Sequence, residues 1–278
     1  MVLKRLLFIL LIASLFAGAA LWAGPTPSLA QEDEGISVPP GRLLVGDDTS
    51  LFAMLADGSE KTVLVEESEP GCWLRDGAWS HDGQFVLYTR ICGGGAPTDW
   101  HAPNRTAVVH LYDVESESAD ELIPNDGVSQ DYVGAWSPDD QQIVFYSNRA
   151  GEHYNLFLYD LESGEVTQIT DFQDDIGRVT FDPTGRYLLY NRYVITANDV
   201  RWEVRALDLT TETETRVGPG MTPRWSPDGQ WIAYTTEGET ADVFILPAAC
   251  ILDNTECNPT RNARNITQTP GVAEREPL

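Results

Sequence analysis

The sequence predicts an all-β fold, a β-propeller of four-stranded antiparallel blades, on three observations. A turn motif recurs four times, each copy leads into an apolar run ending in tyrosine, and no stretch beyond the N-terminal leader has a helical period. The copies are Ala78-Trp79-Ser80-His81-Asp82-Gly83, Ala135-Trp136-Ser137-Pro138-Asp139-Asp140, Thr180-Phe181-Asp182-Pro183-Thr184-Gly185 and Arg224-Trp225-Ser226-Pro227-Asp228-Gly229. Their aromatic residues are 57, 45 and 44 residues apart, a propeller period and not that of a helical solenoid.

Each copy makes sense as a tight hairpin. The aromatic residue ends an inner strand, proline presets φ at the first central position, and glycine supplies the positive φ from which the next strand departs. Ser or Asp before the proline accepts hydrogen bonds from the turn's own backbone. These residues are therefore expected to form turns and not a catalytic set. The second copy has Asp140 where glycine is expected, and the third has Phe181 for tryptophan.

The remaining strands follow in order. The runs after the turns are 85–88, 143–146, 187–190 and 231–234. Further strands are expected at 108–114 and 121–123, 156–161 and 166–170, 204–209 and 215–217, and 243–246 and 264–267. The repeats so drawn span 72–124, 132–172, 178–220 and 221–270. Residues 42–46, 51–55 and 62–66 match the last three strands of a blade without its innermost one, giving about five blades within 42–278. Residues 271–278 have the phase of the segment before a motif aromatic that never arrives. The expected ring is accordingly loose or unclosed, as in a truncated larger propeller; the alternative is that the tail supplies the missing inner strand of the first blade and closes a five-bladed ring.

The Trp-Ser-Pro-Asp-Gly hairpin, the strand ending in tyrosine, the Leu158-Tyr159-Asp160 strand and the closing Gln168-Ile169-Thr170 or Asn265-Ile266-Thr267 resemble the WD-like propeller repeats of TolB-type proteins. The resemblance covers residues 72–270. It implies a propeller and leaves activity open, since the class includes periplasmic interaction proteins, propellers attached to serine peptidases, and some carbohydrate lyases.

Residues 1–30 read as a secretory signal peptide: Lys4 and Arg5, an apolar run over 6–23, and Ser28-Leu29-Ala30 for cleavage. An uncleaved membrane anchor is the alternative. Residues 31–41 form an acidic leader. The formal net charge of −25 disfavours nucleic acid and anionic membrane surfaces as partners. The expected location is extracytoplasmic, with no membrane insertion after cleavage.

Four cysteines in an exported chain suggest disulfides. Cys72 and Cys92 lie symmetrically about Asp82, the centre of the first hairpin, and so face each other; a bulge at Gly83 would shift them by one. Cys250 and Cys257 would close a short loop. A zinc site from Cys72, Cys92, His101 and His110 is the rival, but its spacings match no close ligand pair. No metal or cofactor is expected.

Blade loops alternate between two faces, and one face collects the unusual sequence. The candidate ligand-binding residues there are Trp100, His101, Asp131, His153, Tyr154, Asp174, Asp175 and Tyr193. No catalytic residue is assigned. The chain has no G-x-S-x-G nucleophile elbow, and its Asp-Gly pairs miss the S-x-D-x-G-x-x-W box by one residue. Gly93-Gly94-Gly95 lacks the Lys-Ser/Thr of a phosphate loop. The expected function is a non-catalytic binding or protein-interaction module for a protein or glycan partner. A carbohydrate-active propeller enzyme is the alternative.

Overall fold

The structure is a computed structural model that describes residues 42–94, 104–196, 199–238, 241–252 and 258–267. Residues 1–41, which hold the expected signal peptide and acidic leader, Trp100, His101, Cys257 and the tail 271–278 lie outside the described residues. Five antiparallel sheets follow one another along the chain. The first has three strands, β1 (Arg42–Gly46), β2 (Ser50–Leu55) and β3 (Thr62–Glu66). Four sheets of four strands come next. Blade one is β4 (Cys72–Trp79), β5 (Phe85–Cys92), β6 (Thr106–Asp113) and β7 (Ser118–Glu121). Blade two is β8 (Asp131–Trp136), β9 (Gln142–Ser147), β10 (Asn155–Asp160) and β11 (Val166–Gln168). Blade three is β12 (Ile176–Phe181), β13 (Tyr187–Ile195), β14 (Val200–Asp208) and β15 (Thr213–Pro219). Blade four is β16 (Met221–Trp225), β17 (Trp231–Thr235), β18 (Val243–Pro247) and β19 (Arg264–Asn265). This is the all-β propeller that the repeat predicts.

Two details differ from the expected strands. β7 begins at Ser118, and the run expected at 121–123 mostly follows it. Ile123 is fully buried in the seam between blades one and two, so its apolar character reports packing and not strand pairing. The insertion before β19 holds two single-turn helices, α1 (Ala249–Leu252) and α2 (Pro259–Asn262), too short to show a period in sequence.

The four turns share one hydrogen-bond design. Ser80, Ser137 and Ser226 Oγ each accept the backbone N–H five residues on, at 2.9 Å. Each also donates to the Asp two residues on, at 2.7, 2.6 and 2.5 Å. In the third copy the roles exchange. Asp182 accepts both the Tyr187 N–H (2.6 Å) and the Thr184 hydroxyl (2.5 Å).

Neighbouring turns also touch. Pro138 lies against Gly185, and Pro183 against Gly229, each within 3.4–3.5 Å of where a glycine Cβ would stand. At the first joint the sequence has His81 for proline and Asp140 for glycine. There Asp140 accepts from the His81 and Asp82 backbone N–H groups (3.0 and 3.1 Å), and its Oδ1 lies 2.7 Å from His81 Nδ1. The two departures from the motif are thus a single contact.

The first strands of successive sheets pack in order, β1 on β4, β4 on β8, β8 on β12 and β12 on β16. The apolar core is correspondingly divided into seams between adjacent sheets. Leu51, Leu74 and Val86 fill the first, Leu87, Val109 and Phe145 the second, Tyr146, Leu156 and Leu188 the third, and Leu189, Ile232 and Leu246 the fourth. Each such fully buried side chain contributes about 1.5–3 kcal/mol.

Cys72 and Cys92 are disulfide-bonded and directly paired across β4 and β5. Near the turn the pairs are Trp79 with Val86 and Ala78 with Leu87, one residue off the symmetry about Asp82. A bulge between Arg75 and Ala78 restores it before the cysteines. The disulfide excludes the zinc arrangement that would use these two thiols. Cys250 is disulfide-bonded as well.

Candidate ligand-binding site

The inner strands are irregular at one depth, and this irregularity builds the site. The register of β4 steps over Asp76 and Gly77, that of β8 over Gly134, that of β12 over Arg178, and that of β16 over Thr222 and Pro223. Asp76, Arg178 and Thr222 have left-handed φ values of 57°, 26° and 48°. A bulge bends its strand and re-aims the side chain it carries. Here Asp76, Arg178 and Arg224 line a cavity of about 210 Å³ between the four inner strands, with Gly77, Gly134 and Thr180 completing the wall. Asp76 Oδ1 stands 3.5 Å from Arg178 Nη1, and the Asp76 side chain is 7 % exposed.

Gly134 is required where it stands. A Cβ there would sit 2.3 Å from Val179 Cγ1 and 2.6 Å from the Val144 carbonyl oxygen. The absent side chain lets β8 and β12 approach closely beside the cavity.

Beyond the cavity, toward the face carrying the blade crossovers, three tyrosines cluster. Tyr132 stacks on Tyr146 with centroids 5.1 Å apart, and Tyr154 packs edge-on against both, at 5.8 and 6.1 Å. The Tyr132 and Tyr154 hydroxyls both donate to Gln130 Oε1, at 3.0 and 2.9 Å. Burial pushes all three phenols above their ordinary range, so they stay neutral near pH 7. Arg105, buried beside them, donates to the Gly94 carbonyl at 3.1 Å.

The residues expected from sequence are distributed around this region. Tyr154 belongs to the tyrosine cluster. Asp131 is fully buried inside blade two, accepting from Ser147 Oγ (2.5 Å), Arg149 Nη2 (2.7 Å) and Asn125 Nδ2 (2.7 Å). Asp174 pairs with Arg192 at 2.8 Å. Asp175 lies 3.4 Å from His153 Nδ1 and accepts the Tyr154 N–H at 3.1 Å. Tyr193 packs on Trp202, centroids 5.0 Å apart, on the hairpin of the two nine-residue strands β13 and β14. Trp100 and His101 lie outside the described residues.

The sequence reading missed Asp76, Arg178 and Arg224. The signal lay just before each motif aromatic. Three residues ahead stand Asp76, Val133, Arg178 and Thr222, chemically unlike one another in an otherwise repeating frame.

Chemically, the cavity lining offers charge and hydrogen-bonding groups through Asp76, Arg178, Arg224 and Thr180. Among the described residues, His81 is held by Asp140 and His153 by Asp175, while His110 stacks on Tyr88 with centroids 5.3 Å apart.

Comparison with known proteins bears on the fold. A family model described as the dipeptidyl peptidase IV (DPP IV) N-terminal region matches residues 80–185, the stretch from the first to the third motif copy. A probable dipeptidyl-aminopeptidase B from Neurospora crassa is 26 % identical over 135 residues, which are 48 % of this chain and 11 % of the relative. The chain thus spans only a small part of that peptidase. The uncharacterized protein Atu1656 of Agrobacterium fabrum is 25 % identical over 223 residues, covering 74 % of this chain and 70 % of that protein. Among solved structures, a putative TolB from Agrobacterium tumefaciens superposes with a TM-score of 0.57 at 15 % identity, covering 74 % of this chain and 73 % of its own. An oligogalacturonate lyase in complex with manganese gives 0.55 at 13 % identity, covering 75 % and 60 %. The chain has the fold of TolB-type propellers.

Proposed function

We propose that this protein is an exported, non-catalytic binding propeller that takes its ligand at the central cavity and the crossover face above it. One observation carries the reading. The acids and histidines that sequence places on that face are mostly engaged inside the protein, Asp131 with Arg149 and Ser147, Asp174 with Arg192, and Asp175 with His153. The central cavity is lined by the charged residues Asp76, Arg178 and Arg224 and has a volume of about 210 Å³. Rigid sheets presenting a walled cavity suit ligand recognition. The disulfides support export, since such bonds persist in oxidising compartments. The partner in the envelope or outside the cell is a protein or a glycan.

The test is a turnover screen beside a binding screen. The purified protein is incubated with dipeptide p-nitroanilides and with oligogalacturonate, with and without Mn²⁺, and products are followed by absorbance and mass spectrometry. The expected result is no product, with ligand-dependent thermal stabilisation from a panel of peptides and saccharides. Turnover that co-purifies with the protein and scales with its concentration overturns the proposal.

A further inference from the structure

We infer that Cys72, Cys92 and Glu69 form a redox-gated metal site, which holds a zinc-like divalent cation once the disulfide is reduced. The site lies at the end of the β4–β5 hairpin away from its turn, and it is independent of the binding-propeller reading. A Glu69 carboxylate oxygen and the two Sγ atoms all lie within 4.8 Å of one another. Among the described residues no other three His, Cys, Asp or Glu ligand atoms converge so closely. Glu69 is exposed, Cys92 half-buried and Cys72 buried. The register seats the two cysteines directly opposite each other, and the Cys72 N–H donates to the Glu69 carbonyl at 3.1 Å. One short turn and the facing strand thus present three ligands of the zinc type. Two thiolates on a tetrahedral zinc stand about 3.8 Å apart, and a thiolate and a carboxylate oxygen about 3.6 Å. Rotation of these side chains reaches that arrangement, with water as the fourth ligand.

Arg90 sets the direction of reduction. Its Nη2 lies 3.5 Å from Cys72 Sγ and donates to Glu69 at 2.6 Å, while its Nε donates to Glu67 at 2.5 Å. A thiolate leaves more readily beside a guanidinium. The thiolate of an external dithiol therefore attacks Cys92 Sγ, the more accessible sulfur, forming a mixed disulfide and releasing Cys72 as a thiolate. The reagent's second thiol then attacks the reagent's own sulfur in that mixed disulfide. Cys92 departs as a thiolate and the reagent leaves as a cyclic disulfide, so two electrons and two protons have passed to the protein. The cation displaces the thiol protons, and Glu69 exchanges Arg90 for the metal while Glu67 keeps the guanidinium in place. Thiolate ligands favour zinc over magnesium and calcium. In the oxidised protein the same sulfurs are bonded to each other, so the metal and the disulfide exclude one another.

The full-length secreted protein tests this, reduced with a water-soluble phosphine, which takes up the oxygen of water and leaves no competing thiol. Zn²⁺ is titrated by calorimetry and Cd²⁺ by the absorbance of its thiolate bonds, before and after reduction. The reduced protein should bind Zn²⁺ at least tenfold more tightly than the oxidised protein, and Mg²⁺ and Ca²⁺ should not compete. Reduction also opens the disulfide of Cys250, so Cys72→Ser/Cys92→Ser is the reference and should lose one equivalent of bound metal. Glu69→Gln should weaken the site tenfold or more, whereas Glu66→Gln, at another exposed acid nearby in sequence, should leave it unchanged. If the reduced protein loses its fold, added Zn²⁺ should restore its near-ultraviolet dichroism, since metal binding couples to folding. Binding without that recovery, an undiminished metal count in the double serine variant, or equal affinity of Glu69→Gln and the unaltered protein overturns the assignment. Such a result leaves the non-catalytic reading standing, and turnover in the earlier screen leaves the metal site standing.

Discussion

Ser80, Ser137 and Ser226 each give their hydroxyl proton to an aspartate and take a backbone N–H in return. That single bond sets how three acids titrate. Asp82, Asp139 and Asp228 are held below the usual carboxylate range, first by the serine hydroxyl and next by the backbone N–H two residues on. A carboxyl depressed in the folded state stabilises the protein above its unfolded pKa, near 4, and loses that contribution as pH falls through the depressed values. Thermal midpoints should therefore hold between pH 7 and 5 and fall below about pH 4. The triple variant Ser80→Ala/Ser137→Ala/Ser226→Ala should start lower and lose less on acidification. An equal acid slope in both proteins would remove the serines from the account. Asp182 and Thr184 show that the turn needs one donor and one acceptor in contact, in either order along the chain.

At the scale of an element, the turn is also a joint. Pro138 on Gly185 and Pro183 on Gly229 are apolar joints, whereas His81 and Asp140 make a polar one. His81→Pro alone removes a backbone donor to Asp140 and the ring contact. Asp140→Gly alone relieves a residue with φ of 54° but abandons three hydrogen-bond contacts. Together they rebuild the apolar joint found at the other two positions. The double variant should be more stable than the sum of the single changes predicts, by an interaction of about 0.5–3 kcal/mol read from urea midpoints. Strict additivity would show that the two residues act separately. Within the strands, Gly134→Ala should destabilise by about 1–3 kcal/mol through its clash with Val179 and the Val144 carbonyl, measured in the same way.

This scale also shows what sequence could and could not reveal. The turns were legible because Pro, Asp, Ser and Gly act within six residues of one another. The Cys72–Cys92 pairing holds because the one-residue shift foreseen at the turn is cancelled by a second irregularity, the bulge between Arg75 and Ala78, which sequence did not reveal. The bulges themselves have no local code, so the cavity and its Asp76, Arg178 and Arg224 stayed hidden. Asp131 was read as a surface acid because its partners Asn125, Ser147 and Arg149 meet it only after the crossover and strands are in place.

For the whole molecule, the seams and joints make stability a sum over neighbours, as in other repeat architectures. Blades one and two illustrate this. They are joined by the His81–Asp140 contact, by the Trp136 indole donating to the Ala78 carbonyl at 3.2 Å, and by the Val133 N–H donating to Thr89 Oγ1 at 3.0 Å. A shared apolar seam completes the contact. Apart from Leu122 and Ile123, which enter the seam from the covalent link between the two blades, none of these passes through that link, whose loop exposes Val128 at 77 %. The peptide bond there is thus redundant to the assembly, serving to deliver blade two and not to hold it. Elastase cleavage beside Val128 should give two bands on a denaturing gel and one species on a native gel, with little change in thermal midpoint. Separation of the fragments under native conditions would mean that the backbone itself is a structural tie. If they stay together, the crossover is a place where the chain can be cut, lengthened or re-joined in a different order while the propeller persists.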